Sequence, residues 1–450
     1  MDIDSLYQLF LEHPVVTTDS RRCPQGCIFF ALRGESFDGN LFAEKALDAG
    51  AAIAVVDNPD VVRANSSSYV LVPDVLNTLQ ALATRHRQSF NGPVLQVTGT
   101  NGKTTTKELL AAVLSEKYKV LYTQGNLNNH IGVPLTLLRL QPEDEVAIIE
   151  TGANHPGEIA TLTSIVQPDY GLITNVGRAH IEGFGSFDGV KRTKGELYDY
   201  LQKKPGARIF VNGNNEDLRE MLLSRGINVN DEKCIIYAHH EDSYSHAICQ
   251  GCVNTCDPML SVHWKGLDDQ EHKVQTQLIG DYNLDNVLAA IAVGLHFNIT
   301  AEAINHALRN YHPSLGRSEY RKTAHNELVV DAYNANLTSM MAALGNFRCI
   351  KHPRKMVILG DMKELGIESR EAHQQVLRTV FDSNIDKTWF VGENFKGALQ
   401  AIEWPKDVEV KSFADVNEIK ATLKKESPEG WLILIKGSNG TKLFQLPEVL

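Results

Sequence analysis

The residues best suited to chemistry lie in Thr98-Gly-Thr-Asn-Gly-Lys-Thr-Thr-Thr106. Two glycines let a backbone wrap closely around phosphate oxygens, with several N–H groups turned inward. A Lys behind the second glycine reaches the β- and γ-phosphates, and the hydroxyl after it suits Mg²⁺. Lys103 and Thr104 stand in those places, and Gly99, Thr100, Asn101, Gly102 and Thr105 form the rest of the cradle. The pattern is G-x-x-G-K-T, shorter than the common G-x-x-x-x-G-K-[ST] loop. A Gly-rich turn alone is often punctuation. Here a strand-like run at 94–97 precedes it and a helix is expected to begin near Thr105, the context that a phosphate loop needs.

Other candidates are weaker one by one. Glu150 ends the apolar run 146–149, which in an open α/β sheet puts a carboxylate in the crevice where ligands bind. Mg²⁺ prefers such hard oxygens, although a strand-end Glu is often only solvated. His180 follows the run 170–174 and the turn Asn175-Val-Gly177; a lone His is more often structural. Lys194, beside Gly195-Glu196, reads by itself as a surface charge. Asn283 and Asn286 share a helical face, where Asn283 could equally cap the helix. Cys249, Cys252 and Cys256 cluster near His246 and His263. Zinc sites usually show two Cys-x-x-Cys knuckles and this segment has one, so reduced surface thiols are the simpler reading.

These groups need a scaffold, and the pattern around them supplies one. Residues 15–56 alternate short strand-like and helical runs, and a helix is expected over 75–90, ended by Asn91-Gly92-Pro93. Strand-like runs at 94–98, 119–123, 146–150, 170–174 and 208–211 alternate with helices, the signature of a parallel, doubly wound sheet. Residues 228–276 read as irregular and β-rich, and 283–297 as a helix with Leu284, Val287, Leu288, Ile291 and Leu295 on one face. His312-Pro313-Ser314-Leu315-Gly316 marks a second boundary, followed by strands at 328–332, 355–359, 388–391 and 431–435. The fold class is α/β.

Length and composition fit this. At roughly 100–200 residues per domain, 450 residues make two to four domains. A net charge of −11 disfavours generic binding to nucleic acid or anionic membranes. The start of the chain lacks the basic and apolar regions of a signal peptide, and no apolar run approaches a spanning helix, so the cytoplasm is the expected location. Seven cysteines, an odd number, do not look like a disulfide framework.

Further segments stand in a telling order: Asp19-Ser20-Arg21; Asn126-Leu-Asn-Asn-His-Ile-Gly-Val-Pro134; Glu150-Thr-Gly-Ala-Asn-His-Pro-Gly-Glu158; Ala179-His-Ile-Glu-Gly-Phe-Gly185; Lys194-Gly-Glu196; Asp331-Ala-Tyr-Asn-Ala-Asn336; Gly360-Asp-Met-Lys-Glu-Leu-Gly366; and Lys436-Gly-Ser438. Together with the short phosphate loop, they resemble the Mur ligase superfamily over nearly the whole chain. The resemblance implies three domains. Residues 1–90 would be a small α/β domain that binds the UDP end of one substrate. Residues 91–313 would be the ATP-binding P-loop domain with a mainly parallel, doubly wound sheet. Residues 314–450 would be a Rossmann-like α/β domain contacting ATP and D-alanyl-D-alanine.

The implied reaction is ATP-dependent: a carboxylate becomes an acyl phosphate, then meets an amine. The Asn-x-Asn-Asn, Tyr-Asn-Ala-Asn and Gly-Asp-Met-x-Glu-Leu-Gly segments resemble the branch that joins D-alanyl-D-alanine to UDP-N-acetylmuramoyl-tripeptide in peptidoglycan synthesis. Its partners would be those two substrates, with no nucleic acid and no membrane, and the enzyme would be a monomer. By the same resemblance, Thr104, Glu150, His180 and Lys194 hold two Mg²⁺, Lys194 as a carbamate formed with CO₂. Arg317 would reach the phosphates, Asp331 the ribose, and Asn283 with Asn286 the adenine side; the family often has His where this chain has Tyr282. Asp19, Ser20 and Arg21 match the UDP pocket, and Asn126, Asn128, Asn129 and His130 the muramoyl end. Tyr333, Asn334, Asn336, Asp361, Glu364, Lys436 and Ser438 are the remaining substrate candidates. Two rivals remain: a sister ligase adding a single amino acid, and a nucleotide-binding P-loop protein without ligase chemistry.

Overall fold

The computed structural model of the chain describes all residues except 64–66, 179–180, 241–243, 245, 269, 314–315, 364 and 405–407. Among the described residues, the strands form three sheets. The first is parallel and in chain order: Val16–Thr17, Ile28–Phe30, Ile53–Val56 and Tyr69–Leu71. Ile28–Phe30 and Ile53–Val56 are buried throughout, as continuous apolar runs in a parallel sheet require.

The central sheet has nine strands, ordered Glu271–Ile279, Met259–Gly266, Cys249–Cys256, Cys234–His239, Arg208–Asn212, Tyr170–Ile173, Val94–Thr98, Val146–Glu150 and Val120–Tyr122. Neighbours are parallel from Cys249–Cys256 onward, and the two hairpins at the other edge are antiparallel. The strand Val94–Thr98 lies third from one edge, and the chain then builds outward on both sides of it. Strand order therefore reverses at its carboxyl end, the position where an open α/β sheet leaves a crevice. The helix Lys103–Leu114 starts two residues before the expected position, because Gly102 adopts φ +77° and turns the chain directly into it. It packs against the almost wholly buried helix Leu284–His296.

The cysteine-bearing segment is more regular than the sequence suggests: Cys249–Cys256 is a full strand. Residues three apart on a strand point to opposite faces, so Cys249 and Cys252 do not converge. Cys249 is buried against the Leu288 carbonyl, Cys252 faces His263 across the ladder, and the Cys256 sulfur accepts a hydrogen bond from Asn346.

The third sheet runs Glu319–Lys322, Glu327–Asp331, Leu432–Lys436, Lys355–Gly360, Lys387–Val391 and Glu409–Phe413, with only the first pair antiparallel. Its outermost strands escaped the sequence reading because edges, half exposed and charged, lack an apolar run. Asp331 and Lys436 are partners in register at the carboxyl edge, facing the phosphate loop's crevice.

The helix Val75–Ser89 joins the first sheet to the second. Its Leu79 and Leu82 share one apolar cluster with Val133, Leu137 and Ile165 of the central unit. Buried Arg87 donates to the Val166 and Gln167 carbonyls and pairs with Asp169 at 2.9 Å. Among the described residues no helix is long and apolar enough to cross a membrane.

Candidate active site

The phosphate loop is built by close approach. Gly99 has φ +144°, and a Cβ there would lie 2.0 Å from the Thr174 hydroxyl; a Cβ on Gly102 would lie 2.6 Å from Asn286 Oδ1. Neither position tolerates a side chain. The loop is tied to the end of the neighbouring strand: Thr100 N–H donates to the Asn175 carbonyl at 2.9 Å, and Asn101 N–H to Asn175 Oδ1 at 3.0 Å. Thr174 Oγ1 donates to the Asn101 carbonyl at 2.6 Å. Asn175 was not among the sequence candidates; its signal was the same strand-end position that singled out Glu150.

Lys103 Nζ rests inside the loop, donating to the Gly99 and Thr100 carbonyls at 2.9 and 3.0 Å. Burial lowers its pKa; Glu150 opposes that shift and Arg317 adds to it. Glu150 is 1% exposed. Its Oε1 accepts from Asn128 Nδ2 at 2.8 Å, while its Oε2 is buried without a partner among the described residues. An uncompensated carboxylate oxygen is costly away from water, and a bound cation would satisfy it.

Lys194, on the helix Phe187–Lys203, is 3% exposed. Burial, aided by the charge of Lys103, pushes its amine down to about 7, against the pull of Glu158 and Glu196. It is neither solvated nor paired with Glu196, whose carboxylate accepts the N–H groups of Gly157 and Ala160 at 2.9 and 2.7 Å. Glu158, missed in the sequence reading, lines the same cavity and accepts from Asn154 and His155 N–H. His180 and Glu364 lie outside the described residues.

Asn283 does not cap its helix by side chain. Its Nδ2 donates to the Ile279 carbonyl at 2.8 Å, and its Oδ1 accepts from Asn286 Nδ2 at 2.8 Å. Asn286 Oδ1 accepts from Thr106 at 3.0 Å, so the pair braces the loop helix. Tyr282 hydrogen-bonds Ser318 at 3.1 Å, linking the central unit to the C-terminal one. A second link runs from Asn336 Nδ2 to Asn101 Oδ1 of the phosphate loop at 2.8 Å. The Arg317 guanidinium stacks 3.6 Å from the Tyr333 ring centre, with its Nε buried and without a partner among the described residues. Asp331 contacts buried Lys436 Nζ.

One cavity of about 1040 Å³ gathers Gly99 to Thr105, Asn128, Asn129, His130, Glu150, Lys194, Asn283, Asn286, Arg317, Asp331, Tyr333, Asn334, Asn336 and Lys436. Asp19, Ser20, Arg21, Asn126, Asp361 and Ser438 lie outside its lining. Asp19 and Arg21 form an exposed ion pair at 2.8 Å. Ser438 Oγ accepts from Lys363 N–H at 3.0 Å.

Asp361 has structural work. Its two oxygens accept the Asn394 and Phe395 N–H groups at 3.0 and 2.9 Å, capping the helix Glu393–Leu399 from outside. Gly392, at φ +111°, permits this: a Cβ there would lie 2.3 Å from the carboxylate. Asp361→Ala is expected to lower stability by about 1–2 kcal/mol, measured by chemical denaturation.

Three family descriptions match successive parts of the chain: "Mur ligase family, catalytic domain" over residues 14–87, "Mur ligase middle domain" over 97–294, and "Mur ligase, glutamate ligase domain" over 316–439. The chain belongs to the Mur ligase family. The UDP-N-acetylmuramoyl-tripeptide–D-alanyl-D-alanine ligase of Escherichia coli (strain K12) is 35% identical over 446 residues, covering 97% of this chain and 93% of that protein. The enzyme of the same name from Bacillus subtilis (strain 168) is 34% identical over 437 residues, covering 96% and 92%. The crystal structure of MurF ligase from Thermotoga maritima in complex with ADP superposes with a TM-score of 0.82 at 25% identity, covering 97% and 96%. This Mur ligase has the three-domain α/β architecture of that neighbour.

Proposed function

We propose that this Mur ligase uses ATP to join D-alanyl-D-alanine to UDP-N-acetylmuramoyl-tripeptide, producing the UDP-muramoyl-pentapeptide for peptidoglycan. The observation that carries the reading is the single cavity uniting the phosphate loop, Glu150 and Lys194 with Arg317 and Asp331 of the C-terminal domain. The names of the two relatives supply the substrates.

The tripeptide carboxylate attacks the γ-phosphorus, ADP leaves, and an acyl phosphate forms. The dipeptide amine then attacks the acyl carbon, sheds a proton, and the tetrahedral intermediate expels phosphate. Lys103 and the loop N–H groups hold the β- and γ-phosphates, and Arg317 bears on the transferred group from the C-terminal domain. Asn283 and Asn286 line the adenine side, and Asp331 the ribose. Asp19, Ser20 and Arg21 would bind the UDP end, and Asn126, Asn128, Asn129 and His130 the muramoyl end. Asp361, Glu364, Lys436 and Ser438 are the candidates on the dipeptide side, and Tyr333, Asn334 and Asn336 are further substrate candidates.

Glu150, with its unpartnered oxygen, and Thr104 fit a Mg²⁺ site; Lys194, if carbamylated, and His180 would complete a second one. Bound Mg²⁺ neutralises charge developing on the phosphoryl oxygens. The neutral amine of Lys194 suits attack on CO₂, with loss of one proton, to give an anionic carbamate. The domain division at 90 and 313, a cytoplasmic location beside the nucleotide pools, and a monomeric state belong to the same reading.

Phosphate release is expected to be far faster with D-alanyl-D-alanine than with any free amino acid, in a panel that includes lysine and diaminopimelate tripeptides. Equal use of a single amino acid would move the chain to a sister activity. No release with any acceptor would leave only nucleotide binding.

A further inference from the structure

Lys107 lies one helical turn past Lys103, and the proposed reaction gives it no part. Its side chain is fully buried, which is rare for a Lys. Nζ donates to the Thr123 carbonyl at 2.7 Å, contacts Glu108 Oε1 at 2.5 Å, and lies 5.3 Å from the Tyr122 ring centre. Thr123 comes directly after Val120–Tyr122, a three-residue strand at the edge of the central sheet with a single neighbour in the ladder. So short an edge has little of its own to hold it.

The loop that starts at Thr123 bears on Glu150. Thr123 N–H donates to the Ile148 carbonyl at 3.1 Å, and Thr123 Oγ1 accepts the Glu150 N–H at 3.0 Å. Five residues on, Asn128 holds the Glu150 carboxylate at 2.8 Å and accepts the Gly152 N–H at 2.8 Å. One loop therefore grips Glu150 at its N–H, its carboxylate and the turn behind it. Lys107 pins the start of that loop to the helix carrying Lys103 and Thr104. An ammonium suits this position because it reaches a carbonyl and a carboxylate at once, and charged donors hold more firmly than neutral ones.

We propose that Lys107 is a positioning residue that, through Thr123, sets the Glu150 carboxylate against the Thr104 hydroxyl so that both address one divalent cation. This rests on the reading of Glu150 as a metal ligand. The test is Mn²⁺ binding to the full-length enzyme with ADP, monitored by the loss of the free-ion electron paramagnetic resonance signal. Lys107→Met and Thr123→Val are expected to weaken Mn²⁺ binding about tenfold, the usual range for groups that orient metal ligands. Thr123→Ser, which keeps the acceptor, retains the wild-type value, and ADP affinity without metal stays unchanged in all three. A general loss of structure would move ADP binding too. Folded Lys107→Met and Thr123→Val proteins that bind Mn²⁺ like wild type would overturn the proposal. If Lys107→Met does not fold, Lys107→Gln, which removes the charge and shortens the reach to the Thr123 carbonyl, is measured in its place under the same criteria, while the Thr123 pair tests the link from Thr123 to Glu150. Glu150→Gln separates the two layers. Unchanged Mn²⁺ binding there removes the metal reading together with this one, whereas a loss there beside unchanged Lys107→Met binding removes only the part given to Lys107.

Discussion

Lys103→Ala is expected to lower turnover by roughly 10³-fold or more, with an unchanged far-ultraviolet circular dichroism spectrum. The ammonium sits at the centre of the loop, where the phosphates would lie, and no other described side chain of the loop carries positive charge. Phosphoryl transfer asks the protein chiefly for position and charge, so losing this one point charge acts on the transition state directly. The fold tolerates the change because a half-buried cation is itself expensive to hold, and burial lowers the Lys103 pKa. The loss appears in phosphate release at saturating ATP. Near-normal release by a folded variant would sink the phosphate-loop assignment. A secondary effect comes from proximity: without the charge of Lys103, the Lys194 amine should titrate at higher pH.

Lys194→Ala is expected to lose most activity, and a short-chain carboxylic acid should restore part of it by supplying oxygens where the carbamate stood. Lys194→Arg should stay inactive, since a guanidinium keeps its charge and does not react with CO₂. The physical basis is protonation. At pH 7 an ordinary Lys is neutral in roughly three molecules per ten thousand. Pushed down to about 7, the Lys194 amine is neutral in about half. Carbamate formation should therefore rise with pH through that value, and CO₂-depleted enzyme should regain activity with added bicarbonate more fully at pH 8 than at pH 6. The unfolded chain binds this proton up to about 10.5. Between about 7 and that value the unfolded state holds more protons, so this group's contribution makes stability rise with pH. An active Lys194→Arg enzyme would remove the carbamate as a requirement.

Much of this protein was legible in the chain alone. The phosphate loop is a local device: two glycines, a Lys and a Thr between a strand and a helix do their work within nine residues. The runs 94–98 and 146–150 became strands with those limits, because strands buried on both faces are largely apolar; the interior exception, Gln96, donates to the Thr151 and Thr163 hydroxyls. Motif order carried the family and, through it, the ligase reading. Edge strands such as Glu409–Phe413 were hidden, having no apolar run to show. Asp361, read as a substrate contact, also caps the helix Glu393–Leu399, a role that only the packing of that helix against its strand could assign.

The state of the charged groups belonged to the tertiary structure alone. Lys194 reads in the chain as a surface charge; it is an amine poised near neutrality because walls from distant segments exclude water and Lys103 lies near it. Glu150 reads as a strand end; its stranded oxygen exists because Asn128 takes the other one and the sheet closes around both. Lys107 carried no signal, because a buried Lys differs from an exposed one only in what covers it. Periodicity and spacing record what neighbours along the chain must do, whereas desolvation and electrostatic coupling depend on groups brought together from far apart, and the fold must form before those energies exist.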